Sequence, residues 1–312
     1  MKLFLPGGAG LVGLNLIQQL RERHPDWDLL VVDKKRAAVE VGRRLFPEVM
    51  FLQEDLCEIE GVAWPSKIRD ADACVMLQAE IGNTDPSQFE RNNIESTRVV
   101  LDQLHHSSIT RLVHISSSVV NSVSQDLYTT TKRRQEELVR KQWPGAVVLR
   151  PTLMFGWFDR KHLGWLARFL KKSPVFPIPG SGRFLRQPLF VQDFCNVIAS
   201  CLENPQLAGA YDITGMERIS YHALMRELRS AVGSSSWIIH LPIPLFAVLL
   251  QLWALISRQP AFTRSQLKAL TAGDEFEVIN WPEIFGVEAT PLTTALRVAY
   301  QSGKFTTIEV HF

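Results

Sequence analysis

A doubly wound α/β sheet of parallel strands with a smaller C-terminal lobe is the architecture this 312-residue sequence predicts. Three observations predict it. Short apolar runs alternate with helical patterns through the first half, a glycine-rich turn directly follows the first of those runs, and the alternation stops after Pro151. Apolar runs separated by crossover helices read as a parallel sheet covered on both faces.

Taken in order, Lys2–Leu5 reads as a strand and Leu11–Arg23 as a helix with Leu14, Ile17 and Leu20 on one face. Leu29–Val32, Val49–Leu52 and Ala73–Leu77 are the second to fourth strands, and Asn93–His105 is a helix. Leu112–Ile115 is the fifth strand, Tyr128–Lys141 a charged amphipathic helix and Ala146–Leu149 the sixth strand. Residues 1–152 are thus expected to form the nucleotide domain, with a return segment near residues 187–207. Residues 153–312, with a Pro- and Gly-rich stretch at Ser173–Gly182, are expected mainly to cover the substrate. Ligands of open α/β sheets bind beyond the carboxyl ends of the strands, which is where such a lobe would close.

At 46% hydrophobic and 21% charged residues, the chain buries a sizeable core, which excludes a disordered or fibrous protein. A formal net charge of +2 gives no electrostatic argument for nucleic acid. Cys57, Cys74, Cys195 and Cys201 lack metal-ligand spacing, so a reduced, cytoplasmic setting without a structural metal is expected. The most apolar stretch, Trp237–Ile256, contains His240, Pro242, Pro244 and Gln251 and makes a poor membrane span. A buried or cleft-lining helix is the favoured reading there; an interfacial helix, and with it peripheral membrane contact, is the other.

Gly7, Gly10 and Gly13 form a G-x-x-G-x-x-G between the first strand and the first helix. The first glycine permits the tight turn, the second lets a pyrophosphate approach the backbone, and the third packs the helix onto the strand. The N–H groups of Leu11, Val12 and Gly13 open the helix toward the phosphates. Asp33, twenty residues past Gly13, ends the second strand where an acid binds the adenosine ribose. Asp55-Leu56 follows the third strand toward the adenine edge, and Leu77-Gln78-Ala79 ends the fourth beside the cofactor. This is a Rossmann-type sheet. Asp33 favours NAD over NADP by repelling a 2′-phosphate, whereas Lys34, Lys35 and Arg36 pull the other way; NAD is the expected cofactor.

Tyr128 and Lys132 make a Y-x-x-x-K on one helix face. A phenol with a pKa near ~10 is a poor base at neutral pH, and an adjacent ammonium favours its ionised form. Ser118, in the serine run after the fifth strand, is placed to hydrogen-bond a substrate oxygen.

The order of these features resembles the extended or atypical short-chain dehydrogenase/reductases, in the NAD-dependent epimerase/dehydratase group. Asn93-Ile94-Glu95-Ser96-Thr97 is similar to that family's N-V-x-G-T, and Glu136 completes its Y-x-x-[ST]-K-x-x-x-E. Leu149-Arg150-Pro151 with Gly156, and Gly180-Ser181-Gly182 with Arg186 and Val191-Gln192-Asp193, resemble further family segments. The resemblance implies Tyr128 as proton acceptor, Lys132 holding the nicotinamide ribose and Ser118 orienting the reacting oxygen. Asn93, Ser116 and Pro151 join the cofactor set, and Leu153, Arg183 and Arg186 the substrate set. Arg186 sits where sugar-nucleotide members grip a diphosphate, and a homodimer is the family analogy.

The chain departs from the family pattern in four places. Ser118 and Tyr128 are ten residues apart, a short connection similar to members related to a complex I accessory subunit. Leu153 stands where many members have a substrate-contacting Asn, Gln78 replaces a small residue, and Pro6 precedes Gly7. The expected function is therefore epimerase/dehydratase-type oxidation of a secondary alcohol, with a nucleotide sugar as one substrate class. Two alternatives stay open: an NAD(H)-binding scaffold or redox-sensing subunit without turnover, and a dehydrogenase of a sterol- or lipid-like alcohol. For the last, Trp157, Trp165 and the Leu241–Ile256 stretch would supply an apolar pocket.

Overall fold

The computed structural model describes residues 1–256, 267, 276–302, 304–306 and 308. The first half of the sheet is built from β1 (Lys2–Pro6), α1 (Leu11–Arg23), β2 (Asp28–Val32), α2 (Arg36–Leu45) and β3 (Met50–Leu52). The second uses α3 (Trp64–Lys67), β4 (Ala73–Met76), α4 (Pro86–Phe89), a π-helical stretch Glu90–Glu95 and α5 (Ser96–His105). It continues through β5 (Arg111–Ile115), a 3-10 turn Ser118–Asn121, α6 (Leu127–Gln142) and β6 (Val147–Pro151). Then follow β7 (Met154–Phe155), α7 (Leu163–Lys172), β8 (Val175–Pro179), β9 (Leu185–Arg186), β10 (Leu189–Phe190), α8 (Val191–Glu203) and β11 (Gly209–Ile213). The last described elements are β12 (Ile219–Ser220), α9 (Tyr221–Ala231), β13 (Trp237–Leu241), α10 (Ile243–Ile256), α11 (Trp281–Phe285) and α12 (Leu292–Arg297).

Seven strands form one sheet in the order β3-β2-β1-β4-β5-β6-β11, and every pairing in it is parallel. Strand order reverses between β1 and β4, so the crevice of a doubly wound sheet opens at their carboxyl ends. Alternation along the strands feeds two cores. Leu3, Leu5 and Val75 point to one face, packed with Leu14 and Ile17 of α1 and Phe194 and Ile198 of α8. Phe4, Cys74 and Met76 point to the other, against Val100, Leu101 and Leu104 of α5 and Val139 of α6. Each fully buried Leu, Val or Phe of this kind contributes about 1.5–3 kcal/mol. A third cluster, centred on α7, α9 and α12, makes the core of the lobe.

Several elements differ from the sequence expectation. A helix absent from the sequence expectation, α2, starts at Arg36 within the cationic run Lys34–Arg36. Arg36 pairs with Glu40 one turn on, and Gly42 lets the helix close on Phe51, whose ring would lie 2.3 Å from a Cβ there. The edge strand β11 escaped the reading because it begins exposed at Gly209 and Ala210 and buries only Ile213; its register partner is β6, Tyr211 against Leu149.

The Trp237–Ile256 stretch is not the buried or cleft-lining helix expected of it. Ile243, Leu245, Val248 and Leu249 of α10 are each more than two-fifths exposed, and Trp237 of β13 is 75% exposed. Hydropathy reports how apolar a helix is, whereas burial depends on whether another element reaches it. The two tryptophans expected beside it have other ring partners. Trp157 packs on Phe305 and donates Nε1–H to the Val298 carbonyl, and Trp165 stacks on Phe169 within α7. No helix among the described residues is long and apolar enough to cross a membrane.

Candidate active site

The site grows from the glycine turn at the end of β1. Gly7 has φ +73°, the left-handed region that glycine occupies at little cost, and its N–H donates to the Val32 carbonyl. A Cβ at Gly7 would lie 2.5 Å from the backbone of Gln78, so the ends of β1 and β4 close on each other. Leu77 N–H completes that closure by donating to the Pro6 carbonyl. Gly13 serves helix packing, since a Cβ there would stand 2.1 Å from the Gly8 carbonyl oxygen. Gly10 is different: a Cβ there would meet no protein atom within 4 Å. It is the N-cap of α1, with no side-chain cap and no acid in the first turn, which leaves the N–H groups of Leu11, Val12 and Gly13 without a capping side chain. Open space over an uncapped helix end is what a pyrophosphate requires, so the residues present fit a dinucleotide.

Asp33 follows β2, and its carboxylate accepts from the N–H groups of Lys35 and Ala9. Burial pushes its pKa up, against the lowering effect of those N–H groups and of the Lys35 charge. Lys34 is exposed and donates its ammonium to Asn92 Oδ1. Asp55 accepts from the Cys57 N–H at 2.9 Å and pairs with Arg91 at 3.3 Å. Burial alone would raise that carboxyl, but Cys57, Arg91 and Lys34 together hold it below the ordinary range. Leu56 and Gln78 are buried.

Asn93 lies in a π-helical turn rather than in the regular helix expected for Asn93–His105. Its Oδ1 accepts from the Glu80 N–H at 2.6 Å, and its Nδ2 donates to Thr131 Oγ1 at 2.9 Å. The fully buried Asn93 side chain therefore ties the loop after β4 to the helix carrying Tyr128 and Lys132. A π turn is the local distortion that re-aims one side chain in this way.

Asp126 caps α6 by accepting from the Thr129 N–H at 2.9 Å, which fixes Tyr128 in the first turn. The hydroxyl that lies beside the Tyr128 phenol and lowers its pKa is that of Ser117. Sequence spacing did not single Ser117 out; three successive serines are chemically alike, and the choice among them depends on the turn after β5. Ser117 also accepts from Val119 N–H to start that turn, and Ser118 lies buried within it. Burial raises the Tyr128 pKa above its ordinary value, Ser117 opposes the rise and Asp126 adds to it.

Lys132 is fully buried one turn past Tyr128. Its ammonium donates to the Ile115 carbonyl at 3.0 Å and to Gln135 Oε1 at 2.5 Å. Gln135 Nε2 in turn donates to Thr97 Oγ1 at 2.8 Å and to the Gln78 carbonyl at 3.3 Å. The Gln78 side-chain amide joins the same buried network by donating Nε2–H to Thr97 Oγ1 at 3.4 Å, and among the described residues its Oε1 has no partner. Burial pushes the Lys132 pKa down to about 7, against the raising effect of Glu136.

That depression has a thermodynamic consequence. Between about pH 7 and pH 10 the unfolded chain holds a proton on Lys132 that the folded chain has released, so stability rises with pH across this window. Lys132→Met is expected to flatten the slope by up to roughly 1.4 kcal/mol per pH unit per proton. Urea unfolding of both proteins at several pH values measures it; identical slopes would place Lys132 in a hydrated, ordinary state.

Below this network Ser116 donates to Glu136 Oε2 at 2.7 Å, and Glu136 forms a forked pair with Arg150. Burial would raise Glu136, but Arg150 and Ser116 outweigh it and hold the carboxyl down. Pro151 ends β6 buried, whereas Leu153 is half-buried against the lobe core. Arg183 is exposed after the Gly180–Gly182 turn, and Arg186 is buried on β9 with its guanidinium 5.6 Å from the Phe184 ring centroid. The structure therefore brings the glycine turn, Gln78, Asn93, Tyr128 and Lys132 into one connected region and separates Arg183 from Arg186 by exposure. Among the described residues no group of His, Cys, Asp and Glu is arranged to hold a metal.

The chain is similar to known proteins in sequence and in fold. The mitochondrial NADH dehydrogenase (ubiquinone) 1 alpha subcomplex subunit 9 of Arabidopsis thaliana is 24% identical over 250 residues, covering 77% of this chain and 60% of that protein. The chain thus spans less than two-thirds of that relative's length. A 4-hydroxy-2-methyl-3-oxo-4-farnesyl-3,4-dihydroquinoline-1-oxide ketoreductase of Stigmatella aurantiaca is 24% identical, covering 78% of this chain and 76% of that one. In fold, the UDP-glucuronic acid 4-epimerase of Bacillus cereus, solved with UDP-glucuronic acid and NAD, superposes with a TM-score of 0.73. It covers 96% of this chain and 98% of that one at 19% identity. The family model for NAD dependent epimerases and dehydratases matches residues 3–214, the stretch that carries the glycine turn, the Tyr128–Lys132 helix and six of the seven parallel strands from end to end together with the seventh. With the motif residues and the sheet in agreement, the chain belongs to the NAD dependent epimerase/dehydratase family.

Proposed function

We infer that the protein is an oxidoreductase of a secondary alcohol that uses NAD, with a nucleotide sugar as the substrate class. The observation that carries the reading is the Tyr128 phenol beside the Ser117 hydroxyl, on a helix tied through Asn93 and Gln135 to the floor of the glycine turn. NAD, when bound, supplies the hydride acceptor. Gly10 and the α1 N-terminus would receive its pyrophosphate and Asp33 its adenosine ribose. Tyr128 takes the proton of the substrate hydroxyl, and Ser117 and Ser118 hold that oxygen in line. Lys132, already bound to the Ile115 carbonyl, presents its remaining hydrogen-bonding capacity toward the ribose and favours the Tyr128 phenolate when protonated. Arg186, a buried cation of the lobe, is the candidate for a substrate diphosphate.

Leu153 supports a second reading. An apolar side chain where a polar contact is common suits a greasy alcohol or ketone, the type of compound named for the Stigmatella aurantiaca relative. Two experiments separate the readings. Denaturing the purified protein and identifying the released nucleotide by mass spectrometry tests the cofactor: NAD or NADH supports a retained cofactor, and neither release nor binding of NAD or NADP overturns it. Arg186→Ala is expected to weaken UDP-sugar binding while NAD affinity changes little; if no nucleotide sugar binds the unmutated protein, the sugar reading is dead and the apolar one gains.

A further inference from the structure

The exposed apolar face of the lobe has a consistent chemistry around it. Strand β13 pairs in parallel with β8 along its whole length, from Trp237 opposite Val175 to Leu241 opposite Pro179. This two-stranded ribbon stands apart from the main sheet, and both Trp237 and Val175 at its start are exposed. At its far end Pro242 leads into α10, and Ile243 lies within 3.2 Å of where a Cβ on Gly180 would stand. Helix α10 carries no charged residue, and Gln251 is its one polar side chain. A helix this apolar is ordinarily buried, yet Leu245, Val248 and Leu249 face solvent.

Cations frame that face. Lys171 and Lys172 end α7 just before β8 and are exposed, and exposed Arg183 follows the Gly180–Gly182 turn against which α10 begins. Residues 160–192 hold seven Lys and Arg and no Asp or Glu, although the whole chain is only +2; the remainder is therefore net acidic. Positive charge is concentrated in this one segment of the lobe, which leads into and out of β8. At 14 residues, α10 is about 21 Å long, short of the ~30 Å hydrocarbon core. A helix of that length lies in an interface rather than across it. Apolar side chains that enter the acyl boundary, an aromatic at its level and flanking Lys and Arg at the headgroups are the parts of an interfacial contact.

We propose that the β13–α10 face docks the lobe onto an anionic lipid bilayer, with Trp237, Leu245, Val248 and Leu249 entering the interface and Lys171, Lys172 and Arg183 meeting the headgroups. Docking stands independently of the substrate reading, because it uses none of the residues around Tyr128. It would hold the covering lobe at the membrane surface while the sheet stays in water.

The test is flotation of the full chain with phosphatidylcholine vesicles, with and without phosphatidylglycerol, alongside sedimentation velocity for the state in solution. The unmutated protein is expected to float with the anionic vesicles and to be released by salt. Leu245→Glu with Leu249→Glu, and separately Lys171→Glu with Lys172→Glu, are each expected to lower partitioning about tenfold or more at unchanged melting temperature. The second pair is on surface lysines of a different helix, so the idea stays testable if the first pair unfolds. Absence of flotation at low salt overturns the proposal, as does flotation that neither pair weakens. A dimer that ignores vesicles and dissociates on Leu245→Glu with Leu249→Glu also overturns it, by making a second copy of the chain the occupant.

Discussion

Tyr128→Phe is expected to lower turnover by about a hundred- to ten-thousand-fold while NAD affinity stays nearly unchanged. The substitution removes one oxygen and keeps the ring, so the packing of the first turn of α6 is preserved. That turn is held independently by the Asp126 cap on the Thr129 N–H and by Thr131 at Asn93. What is lost is the polar contact of the phenol with Ser117, a net change of no more than about 1 kcal/mol in stability. Activity and stability should therefore part company. The pH dependence adds a second readout. Burial raises the Tyr128 pKa above the ordinary phenol value of ~10, so the basic form grows in only in the alkaline range and the rate of the unmutated enzyme climbs there. In the phenylalanine variant that climb should be absent. Initial rates on the substrate turned over by the unmutated protein, together with calorimetric NAD titration, check both; an unchanged rate would remove Tyr128 from the mechanism.

Gly10→Asp should abolish NAD binding and at the same time make the protein slightly more stable. A side chain at Gly10 meets nothing in the protein, and α1 starts there without a cap. An aspartate would accept from the first-turn N–H groups and face the positive end of the helix dipole, worth roughly 0.5 kcal/mol. The same carboxylate would occupy the space a pyrophosphate needs and repel its charge. Gly13→Ala provides the contrast: its Cβ would stand 2.1 Å from the Gly8 carbonyl oxygen, so overpacking is expected to cost about 1–3 kcal/mol. Thermal unfolding and equilibrium dialysis with NAD separate the two. If Gly10→Asp still binds NAD with ordinary affinity, the cofactor does not lie over the α1 N-terminus.

The two glycines show why this part of the site was legible. Gly7, Gly10 and Gly13 answer to requirements of a local turn, a phosphate approach and a helix–strand contact, all set within one β–turn–α unit. The strands were legible for a related reason: a sheet covered on both faces needs apolar residues at every position, and Phe4 and Leu5 go to opposite cores from adjacent places in the chain. Strand β11 was not, because an edge strand with one neighbour carries a weaker pattern. Among the residues near Tyr128, Ser117 and Gln135 went unseen because each meets its partner across the fold. Gln135 joins Thr97, Gln78 and Lys132 only once α5, α6 and the end of β4 are assembled.

By itself, then, the sequence determined the parallel sheet, the nucleotide turn and the Tyr128–Lys132 helix, because local backbone geometry and residue periodicity suffice for each. Tertiary structure alone decided which serine meets Tyr128, that Lys132 is pushed down to about 7, and that α10 lies on the surface. Burial is the common physical reason. A side chain's proton affinity and exposure depend on what elements far along the chain place around it, and neither composition nor spacing records that.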